Sequence, residues 1–326
     1  MGIAAALSLS CGAAMAQDYP AYDINGIIQW GAGGAVDTVA RASGAIAEQE
    51  LGRKIVMTNR TGGAGLIAMR HVLAQAPDGY TVLFGSAELP LYKAMGLADI
   101  DYEELYPVNL LIEEPNLIVV PADSPYQTFS DLLEDVKARP GQVRMAHFGN
   151  GTTSQVISLM FQSVTDFEAN MVPFDGAAAA MTASMGGALD MVNVGISIGK
   201  PMIESGRMRA LTIISDEVHS HFPDVPPLTE FLPETKKFLP WGAFYGVYAD
   251  KDIPDAAKAK LSAAFDVATK DPKFSDVMND RGVKILSLSG DDAVAYIKRY
   301  QSITAWLLYD GGAIKDSPET FGIARP

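Results

Sequence analysis

The chain has 326 residues, which at roughly 150 residues per domain predicts about two domains rather than one. It carries 25 Lys and Arg residues against 39 Asp and Glu, so its net charge at pH 7 is −14, and this sign excludes a nucleic-acid-binding surface. Hydrophobic residues make up 48% and charged residues 20%, which excludes an intrinsically disordered chain and allows a large buried core.

The N-terminal segment, residues 1–16, contains no charged residue and ends in Ala14-Met15-Ala16. This pattern is typical of a secretory signal peptide cleaved before Gln17, so we expect an exported protein. A disordered apolar N-terminus, or a lipid anchor at Cys11, is the alternative. Because Cys11 is the one cysteine of the chain, the mature protein would have no disulfide and no cysteine-bound metal.

From Ile24 onward, short β-rich runs alternate with segments of helical period. This alternation predicts an α/β fold with a parallel sheet covered by helices on both faces. The first unit is predicted as βαβαβ, with strands at 24–30, 54–59 and 81–85 and helices at 36–51 and 66–75.

A second α/β unit of similar size is predicted after the apolar run 116–120. Its helices are predicted at 129–138, 153–161, 177–185 and 200–204, and its strands at 143–148, 171–174, 189–194 and 208–214. An extended segment at 243–249 then leads to two or three further helices, predicted at 256–269, 272–281 and 291–308.

The predicted chain passes twice between these units, near 119–122 and near 242–249. The expected first lobe is therefore 17–120 with 247–326, and the second lobe is 121–246. Two crossings make a hinge, and a hinge leaves a cleft between the lobes.

Two glycine loops precede predicted helices, one in each unit. In the first, Gly31-Ala32-Gly33-Gly34 would direct backbone N–H groups and a positive helix end at an anion. A dinucleotide is not expected, because Val36 occupies the sixth position of the fingerprint and Asn59 stands where an acid binds ribose. The alternative is a glycine turn that only lets the helix pack on the strand.

The second loop, Gly149-Asn150-Gly151, is followed by the hydroxyl residues Thr152, Thr153 and Ser154. Their hydroxyls and N–H groups can donate to a carboxylate. The alternative is ordinary capping of the helix by Thr152 or Thr153.

Catalytic and metal-binding patterns are absent from the sequence. Ser154 is not in a Gly-x-Ser-x-Gly elbow, and neither a Walker loop nor a His-Glu-x-x-His motif occurs. His219 and His221 are interpreted as a surface pair, and acidic pairs such as Glu113-Glu114 and Asp291-Asp292 as solvated faces or helix starts. We therefore predict no catalytic residue, no metal and no cofactor.

Several motifs resemble those of the Bug-type periplasmic solute-binding receptors of tripartite tricarboxylate transporters. They are Leu51-Gly52, Val56 to Arg60, Gly62 to Gly65, Ala76 to Thr81, Gly149 to Thr152, Val172 to Phe174 and Phe222 to Pro226. The resemblance implies a periplasmic binding protein of type II-like fold, with two α/β lobes joined by a two-strand hinge. It also implies a monomer that closes on a small carboxylate and delivers it to integral membrane permease subunits.

Ligand-binding residues carried over from this resemblance lie in both predicted lobes. They are Trp30, Gly33, Gly34, Asp37, Ser86, Ala87, Gly151, Thr152, Thr153, Phe174, Gly176 and Asp190. For Asp37 two roles stay open, stabilising the helix end or touching the anion.

Some positions depart from the family pattern: Ala32 replaces a usual proline, Gln155 a frequent histidine and Asp175 a frequent lysine. The pocket should therefore have fewer donors than a citrate site, which favours a monocarboxylate or an apolar-bodied dicarboxylate. Two other functions remain open, a receptor that signals to a membrane sensor without transport and an exported α/β hydrolase.

Overall fold

A computed structural model describes residues 19–174 and 176–326 of the chain. The predicted signal peptide, its cleavage point before Gln17 and Asp175 lie outside these described residues. Within them, no helix combines the length and the apolar character needed to cross a membrane.

The first lobe begins with the predicted βαβαβ unit. Its elements are β1 (Ile24–Ile28), α1 (Ala35–Leu51), β2 (Ile55–Asn59), α2 (Leu66–Leu73) and β3 (Thr81–Ser86). β1 pairs in parallel with both β2 and β3, as the alternating pattern predicts. α1 forms because its apolar residues repeat at helical spacing and are buried, and it ends where Gly52 takes the left-handed conformation at φ 66°.

Three antiparallel strands complete the sheet of this lobe, β4 (Leu105–Glu114), β10 (Ala243–Asp250) and β11 (Lys284–Leu288). The strand order is β11-β4-β10-β3-β1-β2. The sequence analysis did not predict β4 or β11. Pro107 within β4 and the two glutamates at its end are uncommon in strands, whereas the tertiary pairing with β10 holds this segment extended.

The three C-terminal helices return to the first lobe. They are α8 (Asp255–Lys270), α9 (Pro272–Asp280) and α10 (Gly290–Asp310), close to their predicted bounds. α8 packs on α1 and β4, and α10 packs on β4. Phe265 of α8 meets Phe84 of β3 edge to face, with ring centroids 5.9 Å apart, so the core of this lobe joins the two ends of the chain.

The second lobe contains the remaining elements. They are β5 (Asn116–Pro121), α3 (Phe129–Ala138), β6 (Arg144–His147), α4 (Thr153–Gln162), β7 (Asn170–Pro173), α5 (Ala177–Met185), β8 (Val192–Gly195), α6 (Ile196–Glu204), β9 (Met208–Ile213) and α7 (Leu228–Phe231). β5 lies between β8 and β9, antiparallel to both, and β6 pairs in parallel with β7. α6 begins four residues before its predicted start, directly after β8.

The strands change sheet at Pro115, where β4 of the first lobe leads into β5 of the second, and the chain returns to the first lobe at β10. The sheet therefore changes five residues before the expected boundary at residue 120. The sequence marks this point only by Glu113, Glu114 and Pro115, which separate the apolar residues of β4 from the run 116–120. Both crossings lie beside each other, since β4 and β10 are neighbouring strands.

Candidate functional site

A cavity of about 160 Å³ lies where the two lobes meet. Its lining residues come from both lobes and from the hinge: Ala35, Glu114, Asn116, Phe148, Thr153, Ala177, Asn193, Val194, Gly195, Ile198, Ala243 and Tyr245. A second cavity of about 440 Å³ shares Phe148 and adds His147, Gly149, Pro173, Phe174 and Ala179. The smaller cavity lies in the cleft between the lobes, and the second adjoins it on the side of the second lobe.

The first residues of three helices line the smaller cavity, and a fourth helix, α6, begins beside it after Gly195. Ala35, Thr153 and Ala177 are the first residues of α1, α4 and α5, and all three line it. The first N–H groups of a helix have no partner within the helix and carry its positive end, so they bind anions. Because α1 belongs to one lobe and α4 and α5 to the other, an anion here would contact both lobes.

The first glycine loop lies at the start of α1, as predicted. Gly33 has φ 78°, a conformation that favours glycine, and Gly34 is the residue that precedes the helix. Both are exposed and immediately precede Ala35 on the cavity wall.

Asp37 is buried beneath this loop, and its carboxylate is hydrogen-bonded to other groups of the protein. Its carboxylate accepts hydrogen bonds from the Gly33 N–H (2.9 Å), the Arg41 guanidinium (3.0 Å) and the Asn59 amide (2.8 Å). Burial acts to raise the pKa of Asp37, but these hydrogen bonds outweigh it and lower the pKa to about 2. Asp37 thus holds the loop and the helix end together, and it does not line the cavity.

Trp30 and Ser86 belong to a hydrogen-bonded cluster at the end of β3, and Ala87 follows Ser86 there. The Trp30 indole donates to the Ser86 hydroxyl at 2.7 Å, and that hydroxyl donates to Glu88 at 2.5 Å. Ala87 is buried. Ser86 pairs with Tyr245, a cavity residue, across the sheet. The cluster therefore supports the wall, while its polar groups are committed to one another.

The second glycine loop reaches the cavity from the other lobe. Thr152 precedes α4, but its hydroxyl donates to the Gly149 carbonyl at 2.6 Å and makes no capping hydrogen bond, in contrast to the capping alternative. Thr153 lines the cavity instead. Gly151 lies beside Met95 of the first lobe. A Cβ atom added to Gly151 would be only 2.3 Å from the Cε atom of Met95, so the two lobes are in close contact here.

Gly176 and Phe174 flank the start of α5. Gly176 has φ 137° and precedes Ala177 of the cavity wall, and Phe174 lines the adjoining cavity. The structure thus brings together Gly33, Gly34, Gly151, Thr153, Phe174 and Gly176 around the cleft.

Asp190 lies away from this group. Its carboxylate pairs with the Arg144 guanidinium at 2.7 Å and accepts a hydrogen bond from the Arg144 N–H. Arg144 begins β6, whereas His147 at the other end of the strand lines the cleft. Asp190, two residues before β8, therefore joins that segment to the start of β6, at the end remote from the cavity.

The sequence analysis missed four polar residues of the cavity wall: Glu114, Asn116, Asn193 and Tyr245. The interpretation of Glu113-Glu114 as a solvated face is wrong, because these residues are 6% and 4% exposed. Consecutive strand residues point to opposite sides of a sheet, so Glu113 accepts a hydrogen bond from Tyr296 while Glu114 faces the cavity. The sequence offered one signal for this part of the cavity wall: Glu113 and Glu114 stand beside Pro115, between two apolar runs.

Two cavities that are larger than both of these lie elsewhere. One, of about 500 Å³, is beside α10 and the C-terminal residue, and the other, of about 520 Å³, lies behind the hinge near His219 and His221. Neither is lined by the first turn of α1, α4 or α5. Among the described residues, no group of three or more His, Cys, Asp or Glu side chains could hold a metal ion.

Comparison with known proteins gives consistent matches. The sequence model described as the tripartite tricarboxylate transporter family receptor matches residues 39–304. Protein BugT of Bordetella pertussis is 33% identical over 248 residues, which cover 74% of this chain and 73% of that protein. A protein encoded between tcbD and tcbE in Pseudomonas sp. strain P51 is 29% identical over 289 residues, covering 87% and 84% of the two chains.

Solved structures agree with these sequence matches. The periplasmic binding protein BugD is 25% identical, with a TM-score of 0.76 over 91% of this chain and 100% of its own. MatC from Rhodopseudomonas palustris, solved with bound malate, is 27% identical, with a TM-score of 0.74 over 89% of this chain and 98% of its own. The two-lobe fold of periplasmic solute-binding proteins is therefore shared by this chain.

Proposed function

Because the chain belongs to the tripartite tricarboxylate transporter receptor family, we propose that it is an exported, periplasmic solute-binding protein. It captures a carboxylate-bearing organic solute between its lobes and delivers this solute to the integral membrane permease subunits of such a transporter. It acts as a monomer and performs no covalent chemistry on the solute.

The observation that carries this proposal is the meeting of three helix N-termini at one cavity. The first residues of α1, α4 and α5 supply N–H donors and positive helix ends to an anion. The net charge of −14 repels an anion at long range, but at physiological salt this repulsion is screened beyond about 8 Å. Binding therefore depends on short-range donors. The related MatC, solved with malate, supports a carboxylate as the solute.

The distribution of these donors supports lobe closure. Since α1 belongs to the first lobe and α4 and α5 to the second, a carboxylate that accepts from all three favours the closed arrangement over an open one. The solute thereby selects the conformation that the permease would recognise.

A thermal-shift screen of the purified protein against mono-, di- and tricarboxylates, aromatic acids and amino acids tests solute binding. A ligand at 100 times its Kd should stabilise the protein by about 2.7 kcal/mol. Shifts confined to one class of acid are expected, and silence across the whole panel would contradict the proposal. Uptake of the identified solute by cells with and without this receptor then tests delivery.

Thr153→Val tests the cavity itself by removing one hydroxyl without changing the side-chain shape. We expect solute affinity, measured by calorimetry, to fall about five- to tenfold, the effect of losing one hydrogen bond of about 1 kcal/mol. Thr182→Val is the matched control, because the Thr182 hydroxyl donates to the Ala178 carbonyl on the exposed face of α5. If Thr153→Val binds the solute with wild-type affinity, the Thr153 hydroxyl does not bind the solute.

A further inference from the structure

The hinge end of the cavity carries a buried negative charge. Glu114 is 4% exposed and lines the cavity. Its carboxylate accepts hydrogen bonds from the Ser197 N–H at 3.1 Å, from the Ser197 hydroxyl and from the Tyr245 hydroxyl at 2.5 Å. Among the described residues, no Lys, Arg or His forms an ion pair with it. The carboxylate is thus hydrogen-bonded but has no cationic partner.

The absence of a side chain at Gly195 leaves room for the Glu114 carboxylate. A Cβ built on Gly195 would be 2.6 Å from the Glu114 Oε1 atom, so only glycine fits there without displacing the carboxylate. Gly195 precedes α6, and Ser197 lies in its first turn. Glu114 therefore already occupies the anion-binding end of α6, and a solute carboxylate is left with α1, α4 and α5.

Beside Glu114, Asn193 has a side-chain oxygen that lacks a partner. Asn193 is fully buried and lines the cavity, and its Oδ1 atom has no hydrogen bond. Its amide nitrogen donates to the Oδ1 atom of Asn116 at 3.5 Å, at the limit of a hydrogen bond. A buried acceptor without a donor is unfavourable, so a donor on the solute would be stabilised here.

We propose that this hinge end of the cavity, formed by Glu114, Asn116 and Asn193, binds an ammonium group of the solute. The proposal rests on the function proposed above and names its substrate class, an amino-carboxylate. The carboxylate of the solute accepts from the N-termini of α1, α4 and α5, while its ammonium group donates to Glu114 and Asn193. A second carboxylate at the hinge end would meet a like charge and further acceptors, which is unfavourable in a cavity shielded from water.

Calorimetry with chain-length-matched probes tests this charge recognition on the wild-type protein. The probes are succinate with 4-aminobutanoate and aspartate, and glutarate with 5-aminopentanoate and glutamate. We expect at least one ammonium-bearing probe to bind about 30-fold or more tightly than the dicarboxylate of its set, the factor expected of a buried charge pair. Dicarboxylates that bind as tightly as every amino-carboxylate would overturn the proposal and leave the proposed function standing. No binding by any probe, with no carboxylate hit in the thermal-shift screen, would overturn both.

Glu114→Gln tests the residue. This variant should weaken binding of the ammonium-bearing probe about 30-fold and should not weaken binding of the dicarboxylate. Glu113→Gln is the matched control, because Glu113 is equally buried but bonds to Tyr296 on the opposite side of the strand. An unchanged affinity ratio in Glu114→Gln would overturn the assignment. If this variant does not fold, Asn193→Leu replaces it, with a selective loss of affinity for the same probe expected.

Discussion

Asp37→Asn is the sharpest test of how the first glycine loop is held. The wild-type carboxylate is about 5% exposed and binds the Gly33 N–H, Arg41 and Asn59. These hydrogen bonds lower its pKa from 3.8 to about 2, a difference that corresponds to about 2 kcal/mol of folding free energy. The asparagine cannot carry this charge, so we expect the variant to be about 2 kcal/mol less stable at pH 7.

The stability difference between wild type and Asp37→Asn should depend on pH in a defined direction. A carboxyl group whose pKa is lower in the folded than in the unfolded state stabilises the protein above the unfolded value of 3.8, and this contribution disappears as the pH falls through about 2. The stability gap between wild type and Asp37→Asn should therefore be full at pH 7 and less than half as large at about pH 2.5.

Urea denaturation followed by tryptophan fluorescence at several pH values measures this gap. Asp291→Asn is the matched control, because Asp291 is an exposed acid in the first turn of α10, and its substitution should change stability by less than about 0.5 kcal/mol. Equal stability of Asp37→Asn and wild type at pH 7, or a gap that does not shrink in acid, would refute the reasoning.

Two further substitutions test residues outside the cavity. Asp190→Asn should cost about 1 kcal/mol of stability by weakening the half-exposed pair with Arg144 and should leave the solute Kd unchanged; a weaker Kd in calorimetry would place Asp190 in the site. Trp241→Phe should lower the free energy of unfolding in urea by about 1–2 kcal/mol, because the buried Trp241 indole donates to the Thr304 hydroxyl at 3.0 Å; wild-type stability would show that this hydrogen bond contributes nothing.

The first lobe was largely predictable because its signals are local. Apolar residues at helical spacing between β-rich runs fix α1, and glycine punctuation places the loop before it. β4 was missed for the opposite reason. Its sequence contains a proline and ends in two acids, and only its pairing with β10, more than one hundred residues later, makes it a strand.

Asp190 shows a second limit of sequence reasoning. It was grouped with the site through the family resemblance, whereas its side chain pairs with Arg144 at the far end of β6. Residues on one strand can be separated by the length of that strand, about 3.3 Å per residue, and a motif does not tell which end faces the cleft.

The sequence by itself determined the α/β class and the two glycine loops, because apolar periodicity and glycine punctuation act over a few neighbouring residues. Its motifs indicated the family by their resemblance to those of known receptors. Only the tertiary structure decided what surrounds each polar side chain. Glu114 is the clearest case, since its hydrogen-bonding partners Ser197 and Tyr245 lie 83 and 131 residues away in the chain. Burial and charge compensation depend on such distant partners, so a glutamate pair that looks solvated in the sequence is buried, and one of its members, Glu114, lines the cavity.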